Sequence, residues 1–219
     1  MDHRIEQLKH LGLAERVRQL GNPVGPVGVA IGDYMNAMNG ALKAVLFRQL
    51  SPRHGDRILE IGFGNGKLLS DLMNLAPNIT YDGIDISELM VAEATAFNRA
   101  LVAAGRATFH RTSSAMIPFD VGTFDRAVAI NTIYFWPEPV RDLAEIRRVL
   151  KPTGVLGLAA MTPAAAAHLT ASGGSMTLPN FAPCSQRQDF RGSISRLIAR
   201  MHCNPTVGRF SATFTLSAR

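Results

Sequence analysis

The sequence predicts an α/β fold built on a Rossmann-like, doubly wound and mostly parallel sheet. Three observations carry that expectation. Short apolar runs alternate with helical stretches from Arg57 onward, a glycine-rich turn follows the first run, and an acid closes the second. With 219 residues, 47% of them hydrophobic and 18% charged, the chain is long enough to bury a substantial core and has the composition of a globular protein. Residues 1–50 are expected as an N-terminal helical cap and residues 51–219 as one globular unit.

Ile5, Leu8, Leu13, Val17 and Leu20 recur at near-helical spacing, which predicts an amphipathic helix over residues 3–20. Gly21-Asn22-Pro23 ends it, with glycine and proline continuing through Gly28. A second helix is expected over 33–50, with Tyr34, Met38, Leu42, Val45 and Leu46 on one side. Strands are expected at 57–61, 81–85, 107–110, 124–130 and 154–160. Ser87 is a good N-cap for a helix that stops before Gly105, and another helix over 140–150 ends against Pro152. In the tail, Ile194, Leu197, Ile198 and Met201 share a helical face over 193–201. The alternation of Phe210, Ala212, Phe214 and Leu216 predicts a half-buried strand over 209–217. Residues 161–192 give little signal and stand as a divergent stretch, and a further strand before the last is thin.

Several classes of function are disfavoured. The net charge of +6 lies wholly after Leu150, as arginines spread among serines and threonines, without the clustered bases and interleaved aromatics of a nucleic-acid face. No nucleic-acid partner is therefore expected. Apolar runs fall short of the roughly 20 residues that span a bilayer, and the charged start Met1-Asp2-His3-Arg4 has no signal core. A cytoplasmic protein without a membrane span is expected. Cys184 and Cys203 have neither metal-ligand spacing nor a disulfide framework, so no metal is expected. His54, His110, His168 and His202 stand isolated and suggest no catalytic base.

The informative segment is Ile58-Leu59-Glu60-Ile61 running into Gly62-Phe63-Gly64-Asn65-Gly66, after which Leu68, Leu69 and Leu72 begin a helix. Such a turn brings backbone close to a ligand at the carboxyl edge of the sheet. A dinucleotide site would want a further glycine where Lys67 stands. It would also place a pyrophosphate beside Glu60, whose carboxylate repels it. A phosphate-free, cationic ligand suits that acid better. Asp85 ends the second strand about twenty residues beyond the loop, where a carboxylate accepts both hydroxyls of a ribose.

Taken together, residues from about 23 to 158 resemble the class I S-adenosylmethionine-dependent methyltransferases of the ubiquinone/menaquinone-biosynthesis type. Arg57 to Gly66 looks like their first motif and Gly83-Ile84-Asp85-Ile86-Ser87 like their ribose-binding second. Ser113-Ser114-Ala115-Met116-Ile117-Pro118-Phe119 is similar to the loop that contacts adenine, with Ser113 where the family commonly has an acid. Phe124-Asp125 through Trp136 resembles the fourth motif, and Glu145 to Gly154 the following helix-to-strand turn.

The resemblance implies strand order 3-2-1-4-5 with tail strands beyond, S-adenosylmethionine as cofactor, and a small organic acceptor methylated by in-line displacement. It implies cofactor contacts from Glu60, Gly62, Phe63, Gly64, Asn65, Gly66, Asp85, Ile86, Ser113, Ser114 and Asn131. Tyr34, Met38, Tyr134 and Trp136 are expected to wall the acceptor pocket. A second reading is a non-catalytic binder of the cofactor whose substrate half has decayed.

Overall fold

The computed structural model describes residues 11–161 and the backbone of two later strands, Leu197–Cys203 and Ser211–Ala218. The divergent stretch at 161–192 and the first ten residues, where the first predicted helix begins, lie outside them, apart from Met161.

Helix α1 (Leu13–Gly21) leads into the long helix α2 (Gly25–Leu50). Strands β1 (Arg57–Ile61), β2 (Thr80–Asp85), β3 (Ala107–Arg111), β4 (Phe124–Ile130) and β5 (Leu150–Met161) follow. Between β1 and β2 lies the short α3 (Leu69–Met73), between β2 and β3 lie α4 (Glu88–Phe97) and α5 (Arg99–Ala103), and α6 (Pro139–Val149) precedes β5. The last two strands are β6 (Leu197–Cys203) and β7 (Ser211–Ala218). They form one seven-stranded sheet of order β3-β2-β1-β4-β5-β7-β6. Strands β1 to β5 pair in parallel, and β7 lies antiparallel between β5 and β6. The expected 3-2-1-4-5 order and the tail strands are both present.

Three elements depart from expectation. The stretch expected as a helix over 193–201 is strand β6 from Leu197, paired residue for residue with β7. Helical spacing of four apolar residues could not register the vacant edge of β7, whose backbone groups take up those of β6. Helix α2 begins at Gly25, eight residues before the expected start at Asp33, because Pro26 falls in its first turn, where the missing N–H costs nothing. The helix expected from Ser87 to before Gly105 is two helices meeting at Asn98. The Ser87 cap holds, accepting from the Met90 amide at 3.3 Å.

Alternation along the strands divides the core into two layers. Ile58 and Val128 face one side with Leu42, Leu46, Phe47 and Leu50 of α2, while Leu59, Ile61, Ala127 and Ala129 face α6 on the other. Gly157 of β5 lets α2 approach closely, since a Cβ there would stand 3.1 Å from both Leu46 and Leu50. The second half of α2 is thus part of the central core, and its first half projects over the carboxyl ends of β1 and β4.

Candidate functional site

The carboxyl ends of β1, β2 and β4 meet under the first half of α2. Parallel pairing of β1 with both neighbours puts Ile61 beside Ile84 and Ala129, so the residues that follow each strand gather at one edge. This is where open α/β sheets bind ligands, at the point where strand order reverses.

Of the three loop glycines, only Gly64 opens onto space. A Cβ on Gly62 would fall 2.2 Å from the Thr132 methyl, and one on Gly66 2.7 Å from Ala94. Their missing side chains make room for protein. Gly64, at φ +70°, would meet nothing nearer than Met35 at 4.0 Å. Its amide donates to Asp85 Oδ2 at 3.3 Å, and the Ser87 amide donates to Oδ1 at 2.9 Å. Loss of solvent pushes the Asp85 carboxyl up to about 6, against the downward pull of those two amides. Ile86, next along, is exposed.

Glu60 is not where the electrostatic argument placed it. It lies inside β1, two residues before the turn, so alternation sends its side chain to the α2 face with Ile58. There it forms a buried ion pair with Lys43 of α2 at 2.8 Å and accepts from the Tyr81 hydroxyl at 2.9 Å. The cation expected beside Glu60 is supplied by the protein itself. Phe63 is also turned inward, its ring packed edge-on against Phe109 at 5.0 Å, so only its backbone faces the loop.

A polar stripe on α2 grips this edge. Asp33 pairs with Lys67 and accepts from Asn65 Nδ2 at 3.1 Å. Asn36 donates to Asn65 Oδ1 at 2.6 Å, and Lys43 donates to the Phe63 carbonyl at 3.1 Å. Asn39 accepts from Asn131 at 2.9 Å, and Tyr134 donates to the same Asn131 at 3.3 Å. Asn131 itself sits at φ +55°, closing β4 with its amide on Ala159. Sequence reasoning missed Asp33, Asn36, Asn39 and Lys43. Their signal was present as polar residues spaced three, three and four apart on an otherwise apolar helix.

The expected pocket walls divide. Tyr34 packs with Ala30 and Ile31, and Met38 is exposed on α2. Trp136 is buried with Ile133 and Ile146 in the α6-side layer, which removes its side chain from the cleft. In the loop after β3, the Ser114 hydroxyl is buried against Asp142 of α6, while Ser113 stays partly open. Among the described residues no group of His, Cys, Asp and Glu could hold a metal ion. None of the described helices is long and apolar enough to cross a membrane.

Comparison with known proteins agrees with this architecture. Residues 59–158 match the family described as Methyltransferase domain. The chain is 29% identical over 123 residues to an uncharacterised methyltransferase of Bacillus subtilis, YdaC, covering 56% of this chain and 66% of that one. It is 33% identical over 108 residues to the 27-O-demethylrifamycin SV methyltransferase of Amycolatopsis mediterranei, covering 48% and 39%. The chain therefore spans two thirds or less of the length of these curated relatives. A solved methyltransferase from Aquifex aeolicus, 16% identical, superposes with a TM-score of 0.58 over 86% of this chain and 98% of that one, a likeness of fold. Through residues 59–158 and the strand order around them, the chain is similar to the class I methyltransferases, a family whose methyl donor is S-adenosylmethionine.

Proposed function

We propose that the protein transfers the methyl group of S-adenosylmethionine to a small organic acceptor. One observation carries the reading: Gly64, open to free volume, donates its amide to an Asp85 whose partners among the described residues are backbone amides alone. A carboxylate so placed can accept both ribose hydroxyls, and the loop backbone can lie along the rest of the donor. Ile86 offers an apolar surface next to it for the base, with Ser113 as a neutral polar partner. Asn131, on the adjoining strand end, borders the methionine part together with Asn39.

The donor supplies an electrophilic methyl group with a neutral thioether leaving group. The protein then has mainly to align acceptor, methyl and sulfur, which in well-oriented systems lowers a barrier by about 7–11 kcal/mol. The half-buried Tyr134 hydroxyl and the Asn131 amide are placed to orient an acceptor beside the loop. The rifamycin relative is named for an oxygen acceptor on a small molecule, which supports the acceptor class.

A single-turnover reaction with methyl-labelled donor and a metabolite extract tests the proposal. Label is expected in a small organic product. Donor that is bound but never consumed would favour the non-catalytic binder, and absence of binding would remove the cofactor assignment altogether.

A further inference from the structure

We infer that Lys43 is the anchor for the carboxylate of the ligand's amino-acid end, a subsite that rests on the cofactor reading above. Glu60, the acid the motif offers for that end, accepts from the Tyr81 hydroxyl at 2.9 Å on one oxygen, while the other is buried 2.8 Å from Lys43 Nζ as an ion pair without a hydrogen bond. Its side chain is only 3% exposed, against 10% for Lys43. An ammonium drawn to it would have to enter a buried site beside the like charge of Lys43.

Lys43 is placed differently. An ammonium has three N–H donors. One donates to the Phe63 carbonyl at 3.1 Å and the charge stands 2.8 Å from Glu60 as an ion pair without a hydrogen bond, so N–H capacity remains for a further acceptor. Because Phe63 stands between Gly62 and Gly64, its carbonyl holds Lys43 Nζ at the ligand loop itself. Lys43 is also near enough to Asp85 to draw that carboxyl's pKa downward. A zwitterionic amino acid fits the pair as it stands. Its carboxylate completes Lys43, and its ammonium lies in the field of Glu60 without breaking the buried contact.

Calorimetric binding of S-adenosylhomocysteine and of its analogue lacking the carboxylate tests this on the whole chain. The wild type should prefer the carboxylated ligand by about 10- to 100-fold, the range of one charge-assisted hydrogen bond. Lys43→Met combined with Glu60→Gln removes both buried charges together and should cut the preference below ~3-fold, the loss falling on the carboxylated ligand. Lys43→Arg should retain most of it. An equal preference in wild type and double variant, or a wild type that binds both ligands tightly without discrimination, would overturn the anchor alone. A wild type that binds neither would overturn the cofactor reading as well.

Discussion

Two helices reach over the carboxyl edge of the sheet, and they hold it by different means. From one face, α2 grips the glycine loop through side chains: Asp33 on Lys67 and Asn65, Asn36 on Asn65, Asn39 on Asn131, and Lys43 on Glu60. From the other, α6 grips the loop after β3, largely through its backbone. Glu145 accepts from the Ile117 amide at 3.1 Å, and Arg148 donates to the Ile117 and Phe119 carbonyls at 2.9 and 2.8 Å. Arg148 also pairs with Glu145. The α2 contacts hold the groups assigned to the ligand, so stability and binding are coupled there. On the α6 side they hold a chain path, and stability should change with little effect on binding.

Variants can break this contrast, beginning with the largest effect. Lys43→Met leaves Glu60 buried without its cation and should cost about 3–5 kcal/mol in urea unfolding. Adding Glu60→Gln should recover most of the loss. A single variant costing under ~1 kcal/mol would mean that α2 is not joined to the sheet by this pair. Arg148→Met removes two hydrogen bonds to backbone carbonyls and should cost about 2–3 kcal/mol, while cofactor affinity stays within ~3-fold. A tenfold affinity loss would mean that the chain path at Ile117–Phe119 also sets the position of Ser113 against the base.

Asp85 sharpens the comparison because its two effects have opposite sign. Its folded pKa of about 6 lies above the ordinary value near 3.9, so the native state binds the extra proton between them. Stability should therefore fall as pH rises from about 4 to about 6 and level off above. Asp85→Asn should stabilise the ligand-free protein at pH 7 by up to about 2 kcal/mol and flatten that slope. The same change should weaken cofactor binding by about 1.5–3 kcal/mol. In the wild type, affinity should decline as pH falls through about 6, because the ribose hydroxyls need the ionised form. A melting temperature that Asp85→Asn lowers at pH 7 would refute the burial argument.

Smallest in stability is Gly64→Val. Its side chain enters open volume, and holding it at positive φ costs about 1–2 kcal/mol. The fold should survive, and cofactor should no longer raise the melting temperature. Persistent thermal protection by the cofactor would move the ligand off the loop.

The sequence was most legible where side-chain pattern and backbone chemistry agree. Strands β1 to β5, the glycine turn and the Ser87 cap could be read because short apolar runs, glycine spacing and an N-cap residue act locally. The reading of Glu60 went astray for a reason that alternation contains. An acid two residues before the turn is still within the strand, and it points to a face of the sheet instead of out from its edge. A clue lay in Lys43, a lysine flanked by Leu42, Leu46 and Phe47, since a cation on an apolar stripe implies a buried partner. Trp136 and Ser114 were misplaced differently. Each lies in a loop whose direction is decided by α6, an element read correctly but without its facing residues.

Composition, periodicity and the order of the motifs determined by themselves the α/β class, the strand succession, the glycine turn at the carboxyl edge of the sheet and the family resemblance. These depend on neighbours within a few residues or on the fixed handedness of strand–helix–strand units. Tertiary structure alone decided which charges face each other, that a second tail strand pairs beside the predicted one, and that α2 sets Lys43 against Glu60. Pairings of that kind join residues far apart in the chain, and a side chain's partner depends on how elements pack, which no local pattern encodes.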